Sequence, residues 1–139
     1  MGKTLRMLMA ITLLLSPGLS LASGERFDGK WITTVSCDAF RDALGFSYRF
    51  VGEVKDGNFR GLHGVEGQPG YLLIEGKIDV DGTGTLYATG KTNSKEYVPG
   101  RSTPPGTDYG YHIKATFKDT QGTGTRTEGR PCSLELQKK

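Results

Sequence analysis

The 139-residue chain carries 18 Lys+Arg against 15 Asp+Glu, a formal charge of only +3. No run of Lys and Arg interleaved with aromatics occurs, so a nucleic-acid groove has no support. Two Cys without an accompanying His pair do not make a metal centre, and no cofactor-binding signature is present.

Residues 1–22 read as a signal peptide. Lys3 and Arg6 give a positive start, Met7 to Leu15 is an almost unbroken apolar run, and Pro17-Gly18 breaks it. Ser20-Leu21-Ala22 then supplies the small residues a signal peptidase needs. The run is shorter than the roughly 20 residues of a membrane span, so no stable span is expected after cleavage. The expected mature chain is residues 23–139, one domain, periplasmic or secreted. Losing Lys3 and Arg6 leaves 16 Lys+Arg against 15 Asp+Glu, so its net charge is close to zero. Export to an oxidising compartment favours pairing Cys37 with Cys132.

The first strand is expected in Phe27-Asp28-Gly29-Lys30-Trp31-Ile32-Thr33-Thr34-Val35-Ser36-Cys37, which holds the chain's one Trp. Residues 38–44 come nearest to a helical stripe, which Gly45 stops after barely two turns. Beyond it the period is two nearly throughout, an all-β pattern. Tyr48 to Lys55 runs into Asp56-Gly57, a strong two-residue hairpin signal. Folding about that turn sets Val54 opposite Phe59, Gly52 opposite Gly61 and Phe50 opposite His63, with Glu53 facing Arg60 as an opposite-charge pair. His63 thereby falls on the apolar face, where it is either a pocket group or a core His bonded to a Tyr or backbone group.

A second hairpin follows, with Leu72, Ile74, Gly76, Ile78 and Val80 on one face. A three-residue loop, Asp81-Gly82-Thr83, pairs Ile78 with Leu86 and Gly76 with Ala88, keeping the apolar side together. Periodicity then lapses from 91 to 108, a stretch with three Pro, and loops this long are commonly functional or mobile. Order returns with Tyr109, Tyr111, Ile113, Ala115 and Phe117 on one face. A turn near residues 119–122 leads to Gly122-Thr123-Gly124-Thr125, an echo of Gly82-Thr83-Gly84-Thr85. After Arg130-Pro131, Cys132 to Leu136 makes the last strand.

About eight antiparallel strands in an up-and-down meander result. Cys37 shares parity with Trp31, and Cys132 with Leu134, so both sulfurs lie on core faces of the terminal strands. Bonding them makes those strands neighbours, as a small closed barrel does. A two-sheet β-sandwich is the alternative.

The Gly29-Lys30-Trp31 start, the meander and the long crossover resemble the calycin group, particularly its avidin-like and periplasmic inhibitor members. That resemblance implies a basic residue near the end packed on the Trp, for which Arg126 and Arg130 stand. Biotin binding is not implied, since that pocket uses several Trp and this chain has one. Over residues 23–139 the chain also resembles a set of small exported proteobacterial proteins. The shared features are F-D-G-x-W…C (Phe27 to Cys37), Y-x-F…V-x-D-G (Tyr48 to Gly57) and G-x-G-x-R…R-P-C (Gly122 to Cys132). This implies a location rather than an activity.

No catalytic residues emerge: G-x-S-x-G, H-E-x-x-H and P-loop patterns are missing, and Asp79 and Asp81 lack EF-hand spacing. Two functions remain. One is a non-catalytic barrel for a small apolar or amphipathic ligand, lined by Tyr48, Phe50, His63, Tyr109 and Tyr111, with Phe59. The other is a periplasmic interaction or inhibitor module, presenting Tyr97, Arg101, Pro104 and Pro105 of the 91–108 loop to a partner protein. That loop is the one segment folding is not expected to require.

Overall fold

The computed structural model describes Gly2 and residues 24–139; the expected signal peptide lies, apart from Gly2, outside them. Eight strands follow in chain order: β1 (Gly29–Cys37), β2 (Phe46–Lys55), β3 (Asn58–His63), β4 (Leu72–Ile78), β5 (Thr83–Lys91), β6 (Asp108–Lys118), β7 (Gln121–Arg126) and β8 (Cys132–Lys138). Each pairs antiparallel with the next, and β1 pairs with β8, closing a barrel. The sandwich alternative is excluded. Alternation explains the interior: Trp31, Thr33, Val35 and Cys37 of β1 and Cys132, Leu134 and Leu136 of β8 are all buried. Cys37 lies opposite Cys132 and the disulfide is formed across that pair.

The barrel has unlike ends. At one end the connections are short: Asp56-Gly57, the turn around Asp79–Gly82, and Asp119-Thr120. Asp56 and Gly57 both adopt left-handed backbone (φ 52° and 74°), as a tight hairpin turn requires. The Asp28 carboxylate accepts the N–H groups of both (2.9 and 3.1 Å), so the residue before β1 holds the β2–β3 turn. A 3₁₀ turn, Glu25–Phe27, plugs this end with Phe27. Trp31 is fully buried there, edge-on to Phe117 at 5.2 Å, and its Nε1–H donates to the Phe27 carbonyl at 2.8 Å. Phe27 and Phe59 also pack on Phe117. The cation near Trp31 is Lys138, its Nζ 6.0 Å from the ring. Arg126 and Arg130 do not cover the Trp, because they lie at the opposite end of the barrel, over Tyr111 and Phe46.

The first hairpin has the expected register from Gly52↔Gly61 to Lys55↔Asn58. Pairing stops there: Phe50 pairs with Thr33 and His63 with Leu72, and the Phe50 and His63 rings meet at 6.1 Å without a ladder pair. The second hairpin departs by two residues. Ile78 faces Gly84 and Gly76 faces Leu86, and exposed Val80 belongs to the turn. A shift of two preserves the faces but changes the packing. The expected register sets Ile78 against Leu86, whereas the observed one sets each of these two against a glycine. A Cβ on Gly76 would lie 2.7 Å from Leu86 Cα, so the approach tolerates no side chain. The Gly-Thr-Gly echo has the same origin. Gly84 and Gly124 flank Ala115 from the two neighbouring strands, which makes room beside β6 for Phe117, Ile113 and Leu134.

The disulfide closes a loop with a sequence separation of 95 residues, a constraint on the unfolded chain of about 4–5 kcal/mol in the loop-entropy model. The double variant Cys37→Ala/Cys132→Ala is expected to lose stability of that order in denaturant unfolding. An unchanged midpoint would contradict the barrel-closing role of the bond.

Candidate functional site

All the long connections gather at the other end: residues 38–45, 64–71, 92–107 and 127–131. Residues 38–45 form no helix; Phe40 and Ala43 exchange two backbone hydrogen bonds around Arg41, which has φ 55°. The 92–107 loop is zipped at its base. Thr92 Oγ1 and Thr107 Oγ1 donate to the Pro104 carbonyl, Thr107 N–H donates to Thr92 Oγ1, and Lys91 pairs with Asp108 at 2.8 Å. The loop then folds onto residues 38–45. Leu44 N–H donates to the Glu96 carbonyl, Gly100 N–H to the Asp42 carboxylate, and the Arg101 guanidinium to the Asp42 carbonyl. The Gly100 N–H, more than the neighbouring Arg101 and Arg41, holds the Asp42 carboxyl below its ordinary range.

Arg130 fastens these pieces together. It is 8 % exposed and donates to the carbonyls of Asp38 (twice), Leu44 and Tyr97, thus bridging both covering segments. A buried guanidinium has to find acceptors for its N–H groups, and its planar fork suits several at once. The 92–107 loop supplies one of them, so it is part of the folded structure rather than a dispensable insertion.

Between these segments and the barrel mouth lies a cavity of about 300 Å³, at the lower end of the range ligand sites occupy. Phe40, Phe46, Tyr48, Tyr97, Val98, Pro99, Tyr109 and Tyr111 form its apolar wall; Arg41, Lys91, Arg126 and Arg130, with Thr92 and Asn93, form its polar part. Tyr109 and Tyr111 stack at 6.2 Å, and the Arg126 guanidinium lies 4.4 Å from the Tyr111 ring centre. Burial pushes the Tyr111 phenol up to about 12, against the opposing pull of Arg126, and raises Tyr109 and Tyr48 as well. All three are therefore protonated, neutral donors at ordinary pH. Arg130 is shifted down by its burial and by neighbouring Arg126. A larger concavity on the outer wall, lined by Thr83, Lys114, Thr116, Thr123 and Thr125, has no aromatic side.

Three of the five expected ligand residues, Tyr48, Tyr109 and Tyr111, line this cavity, and Tyr97 of the loop joins them. His63 and Phe50 stand behind Tyr48. The His63 ring stacks on it at 3.9 Å, with Nδ1 buried and unbonded among the described residues rather than held by a Tyr or backbone group. Phe59 belongs to the opposite end. Arg101 is turned to Asp42, and the Pro104 carbonyl is occupied by the two threonines; neither Arg101, Pro104 nor Pro105 lines the cavity. Phe46 was findable, since it shares parity with Tyr48 and Phe50. Arg126 was too, because it ends β7 far from the turn near Trp31. Phe40, Val98 and Pro99 come from irregular segments with no periodicity to mark them. No cluster of three or more His, Cys, Asp or Glu suited to a metal occurs among the described residues, and the Asp81 carboxylate instead accepts the Thr83 N–H of its own turn. No described helix is long and apolar enough to cross a membrane. Comparison with family models, curated proteins and solved structures gives no match.

The raised tyrosines set a pH dependence. An unfolded phenol ionises near 10, whereas Tyr111 keeps its proton to about 12. Between those values the unfolded chain binds fewer protons than the folded one, so stability falls as pH rises. Ultraviolet titration of the folded protein is expected to show phenols ionising late among its six Tyr, with stability falling above pH ~10. Ionisation of all six near 10 would contradict the burial of Tyr109 and Tyr111.

Proposed function

We propose that the protein is an exported, non-catalytic β-barrel that binds a small apolar or amphipathic ligand in the cavity at its long-loop end. The observation that carries this reading is the cavity itself: one barrel end is packed solid around Trp31, while the other holds an aromatic-walled space beneath a docked loop. Eight-stranded interiors are just wide enough to be filled by side chains or to hold one small ligand, and this barrel has one end of each kind. The disulfide accords with an oxidising compartment, periplasmic or external. The resemblance to small exported proteobacterial proteins and to calycins belongs to the same proposal. The competing reading, an interaction module acting through residues 91–108, has weaker support, since Arg101 is engaged with Asp42 and Tyr97 faces the cavity.

Apolar fluorophores test it. N-phenyl-1-naphthylamine or its sulfonated relative 8-anilinonaphthalene-1-sulfonate is expected to bind the folded protein with enhanced emission and a raised melting temperature. Val98→Trp, which fills the cavity from the loop side, is expected to remove both effects. Binding of neither probe, or binding untouched by Val98→Trp, would refute the assignment.

A further inference from the structure

The cavity's charges are one-sided. Four basic residues line it and, among the described residues, no carboxylate does. Lys91 is matched by Asp108 at 2.8 Å. Arg126 and Arg130 have no described carboxylate within 4 Å. All four hydrogen bonds of Arg130 go to neutral carbonyls, which occupy four of its five N–H groups, and the Asp38 carboxylate acts on its charge only from beyond 4 Å. Arg126 likewise takes only a carbonyl, that of Glu128, through Nε. The Glu128 carboxylate, the natural partner, turns away to His112 at 3.4 Å. A buried charge without a close counter-charge is costly; Arg130 is buried, the half-buried Arg126 shares its cavity, and the Arg126 charge adds to the burial that shifts Arg130 down. Arg126 still has its terminal N–H groups uncommitted, and the protonated Tyr109 and Tyr111 phenols add neutral donors beside it.

Resting on the binding reading above, we infer that the ligand is an anionic amphiphile. Its single carboxylate, sulfonate or phosphate head meets Arg126 and Arg130, and its apolar body lies against Phe46, Tyr48 and Val98. The head supplies a close counter-charge, and the free terminal N–H groups of Arg126 receive its oxygens. The apolar wall accounts for the body, and the cavity's size keeps that body small.

The two fluorophores separate this inference from the reading beneath it, because they share an arylamine skeleton and differ by one sulfonate. In the intact disulfide-bonded protein the sulfonate is expected to bind at least ~10-fold more tightly, a difference of about 1.4 kcal/mol. In Arg126→Gln the ratio of the two affinities is expected to fall to near one, and Arg126→Lys, which keeps the charge, should restore part of it. Arg126 is chosen because Arg130 also holds the covering segments. Equal affinities in the wild type, or a preference that survives Arg126→Gln, would overturn the inference and leave a neutral apolar site. Failure of both probes to bind would overturn the binding reading and the inference together.

Discussion

A meander of eight strands keeps two open edges until its first and last strands pair, and here that pairing determines the rest. β1 meets β8 along seven residue pairs, from Trp31↔Lys138 to Cys37↔Cys132. The closure brings unlike forces to its two ends. At one, Trp31 is sunk among Phe27, Phe117 and Val54, a burial whose loss on truncation costs about 3–5 kcal/mol for a large aromatic. At the other, a covalent bond holds the strands where packing is incomplete. The disulfide lies beside the cavity, with Cys37 in its lining, so the barrel stays closed at the end that is least filled.

That asymmetry explains how a small barrel has any space in it. Glycines at Gly52, Gly61, Gly76, Gly84 and Gly124 admit aromatic and branched side chains from neighbouring strands, and the lower interior is solid. Above it, Phe46, Tyr48, Phe50 and Tyr109 are only partly buried and project toward the mouth. The covering segments turn Phe40, Tyr97, Val98 and Pro99 to the cavity, and polar bonds hold them down. Arg130 and Asp42 are the two fastening points, one through carbonyls and the other mainly through Gly100 and Arg101.

Much of the fold was legible because period-two alternation and turn chemistry agree. Asp56-Gly57 sets the four pairs nearest its turn correctly, though not Phe50 opposite His63, and the parity of Cys37 and Cys132 asks for β1 beside β8. The Asp81-Gly82-Thr83 turn misled, because a shift of two residues leaves every side chain on its expected face. Only the pairing of Ile78 with Gly84 and Leu86 with Gly76, a matter of volume, separates the two registers. The site was half legible for a related reason. Tyr48, Tyr109 and Tyr111 sit on strands and follow parity, whereas Phe40, Val98 and Pro99 sit on segments whose course depends on contacts with Arg130 and Asp42. The calycin resemblance sets Arg126 or Arg130 on Trp31, whereas the meander itself puts Lys138 beside Trp31 and Arg126 over Tyr111 at the other end.

Chemical-shift mapping tests the central claim, a solid end and a binding end in one barrel, most directly. Uniformly ¹⁵N-labelled protein would be titrated with 8-anilinonaphthalene-1-sulfonate while the backbone amides, the Arg Nε–H groups and the Trp31 indole N–H are followed. The account predicts shifts at Arg126, Arg130, residues 92–99 and the Tyr109–Tyr111 stretch, with the Trp31 indole signal, locked onto the Phe27 carbonyl, unmoved. Shifts centred on Trp31 and Phe27, or on the outer threonine wall of β5, β6 and β7, would contradict it.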